Sequence, residues 1–191
     1  MTTLAEYLCC PPRACYGAVE WVSDRPASEA LWAECPDGAW MLWLCAKVGV
    51  RRKLLVPCAT GCARSVLRLV PVGEDRPRLA VEVAEAWVYG HATQEEARAA
   101  ARAAYAAAYV AADAAYADAY AARAAACSAH AAAAATTAEA VYAVDDAAIA
   151  ADEAGICTRE YALARYARGV REVIPWWHVA DRLMAAGVEV V

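Results

Sequence analysis

Thirty-four of the 58 residues from 97 to 154 are alanine, and tyrosines stand among them at a helical rhythm. Alanine is the strongest intrinsic helix former, because its methyl group has no rotamer freedom to lose. Such a tract dictates helix, and it brings no chemistry with it. Methyl groups bind no metal, move no proton and discriminate no substrate.

The tyrosines carry more information. Tyr105, Tyr109, Tyr116 and Tyr120 are offset by 0, 4, 11 and 15 residues. At about 100° per residue these offsets fall near 0°, 40°, 20° and 60°, one narrow stripe on a single helix. An eleven-residue step carries Tyr105 onto Tyr116 and Tyr109 onto Tyr120, and two further steps reach Ala131 and Tyr142. That repeat is close to the natural helical period, so a long helix carries it with little supercoil. Arg98, Arg102, Asp113 and Arg123 share the stripe, and the opposite face is almost pure alanine. The alanine face is expected against the protein, where its lack of bulk lets neighbouring helices approach. The tyrosine face, with Arg102 and Asp113, is then expected at a boundary where a partner or second copy docks. The competing expectation turns the rings inward, each hydroxyl bonded to another helix.

The chain has no Phe or Asn, two Lys and sixteen Arg, the mark of GC-rich codons. The alanine tract therefore also reads as a codon-repeat expansion. Tyrosine codons are AT-rich, and ten tyrosines run against that bias.

A net charge of −5 with a pI near 5.2 argues against a general nucleic-acid binder, which needs a basic field. Residues 97–154 hold three Arg against seven Asp and Glu, so they carry −4 of it. The compact basic run, Arg51-Arg52-Lys53, reads as a solvated first helical turn. The start, Met-Thr-Thr-Leu-Ala-Glu, does not resemble a signal peptide, and no apolar run of membrane length is uninterrupted by polar residues. A cytoplasmic protein away from membranes is expected. Nine cysteines then read as reduced thiols.

Helix signals divide the chain. Thr3 with Glu6 forms a capping box, and the first helix ends before Pro11-Pro12. A second helix is expected over residues 13–22. Asp24 is read as an N-cap with Pro26 in the first turn of a third. Cys35-Pro36-Asp37-Gly38 is a turn. A helix over 39–48 carries Trp40, Trp43 and Leu44 on one face and stops at Gly49. The next, over 51–70, is interrupted by Pro57. Gly73-Glu74-Asp75-Arg76-Pro77 opens another, capped by Asp75, with Leu79, Val83, Ala86 and Trp87 as its apolar stripe and Gly90 as its stop. Trp43, Leu79, Val83 and Trp87 are the expected core. Thr93-Gln94-Glu95-Glu96 is a capping box that opens the alanine-rich segment, and Thr136-Thr137-Ala138-Glu139 is a second one that breaks it into two helices. Helices over 158–173 and 176–186 follow, and residues 188–191 read as a tail. The fold class is all-α: one domain over residues 1–191, about eight to ten helices, no sheet.

Catalytic chemistry finds little purchase. Cys58 and Cys62 lie four apart on one helix face, but two ligands do not make a metal site; Cys9, Cys10 and Cys15 would have to complete it. His91, His130 and His178 are scattered, with no nucleophile beside them. Asp145-Asp146 and Asp152-Glu153 read as a solvated face, a two-carboxylate site being the alternative. There is no phosphate loop, zincin helix, nucleophile elbow or dinucleotide turn. No catalytic residue, metal or cofactor is expected. Tyr105, Tyr109, Tyr116 and Tyr120 with Arg102 and Asp113 are the candidate partner-binding residues, because Tyr and Arg combine large area with polar contacts.

One set of segments carries a family resemblance. They are Ala39-Trp40-Met41-Leu42-Trp43-Leu44, Cys62-Ala63-Arg64, and Gly73-Glu74-Asp75-Arg76-Pro77-Arg78 followed by Ala84-Glu85-Ala86-Trp87. Next come Gly90-His91-Ala92-Thr93, the Ala/Tyr/Asp tract, and Val170-Arg171-Glu172-Val173-Ile174-Pro175-Trp176. In this order, over residues 21–186, they resemble the alanine-rich immunity proteins of actinobacteria and their phages. The Gly-Glu-Asp-Arg-Pro segment with its downstream Trp is the most specific. The resemblance implies an all-α domain and a non-enzymatic, toxin-neutralising role, or a phage factor that blocks a host protein. It brings no catalytic residue, and Cys9, Cys10 and Cys58 lie outside its pattern. A metal- or thiol-dependent enzyme or redox protein using the cysteines is the alternative.

Overall fold

The structure is a computed structural model that describes residues 1–112, 115–133 and 138–191. The described residues form eleven α-helices: α1 (Leu4–Cys9), α2 (Tyr16–Val22), α3 (Glu29–Glu34), α4 (Gly38–Lys47), α5 (Arg52–Val66), α6 (Arg76–Val88), α7 (Gln94–Ala111), α8 (Tyr116–Ala133), α9 (Ala138–Glu153), α10 (Arg159–Val173) and α11 (Trp176–Ala185). A 3-10 turn, Leu67–Leu69, follows α5. Among these residues there is no strand, and the fold is all-α as expected. None of the described helices is long and apolar enough to cross a membrane.

Several helix ends sit where their signals put them. Thr3 accepts from the Glu6 N–H while Glu6 accepts from the Thr3 N–H, and Thr93 and Glu96 repeat this box at the start of α7. Thr158 opens α10 by accepting from the Tyr161 N–H at 3.3 Å. Gly90 and Gly187 end their helices at φ of +80° and +79°, a conformation that favours glycine.

Other ends depart from expectation. α2 starts at Tyr16. α3 starts after Ser28, whose Oγ accepts from the Leu31 N–H at 3.2 Å; Asp24 caps nothing. Pro57 does not interrupt α5, since the lost bond falls in the second turn and the helix continues to Val66. Asp75 sits before α6 without capping it. Its carboxylate pairs instead with Arg78, and Glu74 accepts from the Arg76 N–H at 3.1 Å. The alanine-rich segment makes three helices rather than two, which together with α3 and the other short helices brings the number to eleven. The Thr136-Thr137 box lies outside the described residues, apart from Ala138 and Glu139.

α8 is the central helix. It packs against α5, α6, α7 and α9, and buries Ala121, Ala122, Ala124, Ala125, Ala126, Ala129, Ala131, Ala132 and Ala133. A helix apolar on all sides belongs inside a bundle. Alanine suits that place because burying it costs no side-chain entropy, and the bare backbone lets four neighbours come close. The stabilisation per methyl is small, roughly 0.8 kcal/mol per buried carbon, so the core needs many of them. Larger residues complete it: Met41, Leu42, Leu55, Val56, Val81, Val144, Val170, Ile174, Val179 and Leu183 are fully buried.

None of the four residues expected in the core is buried. Trp43, Val83 and Trp87 pack against the core but stay partly exposed, and Leu79 is 47% exposed. α6 turns Pro77, Ala80, Val81 and Ala84 inward and leaves Leu79, Val83 and Trp87 toward the rim. α4 does the same, burying Met41, Leu42 and Cys45 while Trp40, Trp43 and Leu44 stay partly exposed. Residues 188–191 are more than a free tail. Val188 bridges Thr2 and Val190 bridges Ala27, both in parallel, through backbone bonds of 2.9–3.0 Å.

Candidate functional site

α7 and α8 form a helical hairpin. Arg98 donates to the Ala133 carbonyl at 3.3 Å, and Tyr105 meets Cys127 at 3.0 Å, so residues pair in reverse order and the helices run antiparallel. Tyr105 and Tyr109 lie on α7; Tyr116 and Tyr120 lie on α8. The expected stripe on one continuous helix is therefore overturned. Because α7 and α8 run antiparallel, the two tyrosine pairs face each other across the hairpin.

They still converge. The four rings and Arg123 line one open groove of ≈ 260 Å³, floored by Ala108, Ala112 and Ala119. Tyr109 is 84% and Tyr116 68% exposed, whereas Tyr105 and Tyr120 are half-buried. The alanines of α7, Ala97, Ala101, Ala104, Ala107 and Ala108, face the protein as the sequence implied. Arg102 is exposed on α7 away from the groove wall. Asp113 lies outside the described residues. Arg123 lies over the Tyr120 ring at 5.0 Å.

A polar chain runs beneath the groove. The Tyr105 hydroxyl meets Cys127 Sγ at 3.0 Å, and Cys127 donates to Asp146 Oδ2 at 3.7 Å. Arg123 Nη2 stands 3.2 Å from Asp146 Oδ1. Asp146 is only 4% exposed. Burial pushes its carboxyl up to about 6, against the pull of Arg123. Burial likewise pushes the Cys127 thiol up to about 12 and raises the Tyr105 phenol. Such a thiol stays protonated, so the arrangement offers positioning and one carboxyl that titrates near neutral pH, but no nucleophile. His130 meets the edge of Tyr105 at 6.4 Å, and its Nδ1 is 3.6 Å from Glu139.

Sequence reasoning missed this chain. The sequence places Asp145 and Asp146 together on a solvated face, and only Asp145 fits. It pairs with Arg159 at the surface. Asp146 shares its helix face with Ala143 and Ala150, both buried. A carboxylate set in an apolar stripe was the available signal.

The other candidates remain apart. Cys58 and Cys62 are buried within α5; burial pushes Cys58 up to about 12 and Cys62 well above the ordinary thiol value. All nine cysteines are free thiols, with Cys9, Cys10 and Cys15 exposed. Among the described residues no group of three or more His, Cys, Asp or Glu is placed to hold a metal ion. His178 stacks on Trp177 at 3.6 Å and His91 lies beside Tyr89 at 6.4 Å, neither next to a nucleophile.

The fold and site define an all-α bundle with an aromatic groove on its alanine-packed hairpin. No family model, no curated protein and no solved structure matches the chain.

Proposed function

We propose that the chain is a non-enzymatic binding factor that neutralises a protein toxin or blocks a host protein by docking it on the α7–α8 hairpin. The carrying observation is the exposure of Tyr109 and Tyr116 on facing helices, above half-buried Tyr105 and Tyr120. Tyrosine presents large contact area with few torsions to freeze, and the alanine core behind the rings holds both helices still. The immunity-protein resemblance and the net charge of −5 support the same reading, and favour a partner with a basic surface. The thiol-enzyme alternative finds less support, since Cys58 and Cys62 are buried and hard to ionise, and among the described residues no metal-holding group of three brings them together with the exposed Cys9, Cys10 and Cys15.

The test is the Tyr109→Ala/Tyr116→Ala double variant. A partner is isolated from the native host on the tagged wild-type chain, purified, and titrated against both forms. The reading requires near-wild-type thermal stability with binding weakened at least a hundredfold, about 3 kcal/mol for two anchoring rings. Full affinity in the variant would remove the hairpin from the interface. Unfolding of the variant would make the tyrosines core residues. Sedimentation of the two forms separates a second copy of the chain from a foreign partner.

A further inference from the structure

A second groove, of ≈ 250 Å³, lies between α2, α4, α9 and the start of α10 and shares no residue with the tyrosine groove. Trp40 and Trp43 of α4 and Tyr142 of α9 wall it, and Asp37, Asp145 and Arg159 supply its charges. Asp37 is 8% exposed. Its Oδ1 caps α4, accepting from the N–H groups of Ala39 at 2.7 Å and Trp40 at 3.1 Å. No described residue donates to its Oδ2. Arg159 is engaged by Asp145. The groove therefore has two carboxylates for one guanidinium, and Asp37, though largely buried, keeps its second oxygen within reach of solvent.

The aromatic walls add to this. Ring faces are electronegative and attract cations. Trp43 already receives one, the Lys47 ammonium, 5.2 Å from its ring centre. Burial raises the Asp37 carboxyl on balance, with Asp145 adding to it and the capping N–H groups of Trp40 and Ala39, then Arg159, opposing, so a further cation beside it would be favourable.

We infer that this groove binds an alkylammonium group, seated against Trp40, Trp43 and Tyr142 and donating a hydrogen bond to Asp37 Oδ2. An anion would meet two carboxylates. A neutral apolar ligand would leave Asp37 desolvated with no partner. A guanidinium wants both oxygens of one carboxylate, and the two backbone N–H groups hold Oδ1. A quaternary ammonium has no N–H to donate. The ammonium group has two sources, a free small amine or the end of a lysine side chain on a protein.

The full chain is titrated with n-butylammonium, with butan-1-ol as its neutral counterpart, and with Nα-acetyl-lysine-N-methylamide, by calorimetry and tryptophan fluorescence. The site requires saturable binding of butylammonium and none of butanol. Asp37→Asn keeps the helix cap, since Asn caps as well as Asp, and should weaken binding about tenfold. Tyr142→Ala alters an exposed ring and should weaken it about threefold or more. Asp152→Asn, an exposed carboxylate at the end of α9, should leave it unchanged. Equal affinity for the lysine amide assigns the group to a protein lysine; much weaker affinity assigns it to a free amine. No saturable binding of butylammonium, equal binding of butanol, or equal losses in Asp37→Asn and Asp152→Asn would overturn the site. If Asp37→Asn loses helix by circular dichroism, Tyr142→Ala decides, and unchanged affinity there overturns it.

Discussion

Arg123 Nη2 stands 3.2 Å from Asp146 Oδ1, so a half-exposed cation closes over a carboxylate that is almost wholly buried. The Asp146 carboxyl is raised from 3.8 to about 6 in the folded protein. The folded state then binds the proton more tightly than the unfolded chain. The group's stabilisation is complete below about pH 4 and is lost as pH rises through about 6, a change of about 3 kcal/mol. Arg123→Ala removes the main influence holding that carboxyl down. The variant should lose about 1–3 kcal/mol at pH 8 and much less at pH 4. Urea unfolding at the two pH values reads the difference directly; equal losses would mean that Asp146 is not the titrating group.

Gly38 begins α4 where α10 passes. A methyl group there would lie 2.9 Å from the Tyr166 carbonyl carbon and 2.9 Å from the Ala167 nitrogen. Backbone cannot step aside as a side chain can. Gly38→Ala should therefore cost about 1–3 kcal/mol, although alanine is the better helix former. A rise in melting temperature would show that α4 and α10 have room to part.

The alanine core makes predictions of very different size on its two sides. Ala125 on α8 is fully buried among four helices, whereas Ala106 on α7 is exposed. Ala125→Leu should destabilise by about 1–3 kcal/mol or more, and Ala106→Leu should change stability by less than about 0.5 kcal/mol. Thermal melts of the pair also bear on the origin of the tract. A repeat expansion with no packing role would tolerate leucine at both positions.

Capping gives a fourth comparison. Thr93→Ala removes a hydroxyl that accepts the Glu96 N–H at 3.1 Å and should cost about 1 kcal/mol. Asp75→Ala removes only an exposed pair with Arg78 and should cost a few tenths, about 0.5 kcal/mol at most. Chemical denaturation of both variants checks the order; a larger loss at Asp75 would restore it as the cap of α6.

These contrasts show what the sequence could convey. Thr3, Thr93 and Thr158 announce helix starts because each cap is a local bond within one turn, and the terminal glycines are as local. No glycine or proline stands between Ala111 and Tyr116, so the sequence does not mark the end of α7 and the start of α8. Only the packing of α7 against α8 demands two helices, and the eleven-residue tyrosine spacing fits a continuous helix and a hairpin equally well. Asp146 was lost for a related reason. Beside Asp145 it looks solvated, and its inward turn depends on Arg123 and Cys127, which arrive from α8. Leu79 was misjudged because alanines, not leucines, suit the close side of α6.

Thr2 and Val188 belong to opposite ends of the chain, yet their backbones pair. A contact across that span closes the largest loop in the molecule, and closure entropy grows with loop length. It should form only after the bundle has drawn the ends together. The last residues then act as a latch on α1 and the segment before α3. Cutting the chain after Gly187 would leave the α5–α10 bundle assembled and α1 and α2 held only by their own packing and by Lys47, a graded rather than all-or-none loss of structure.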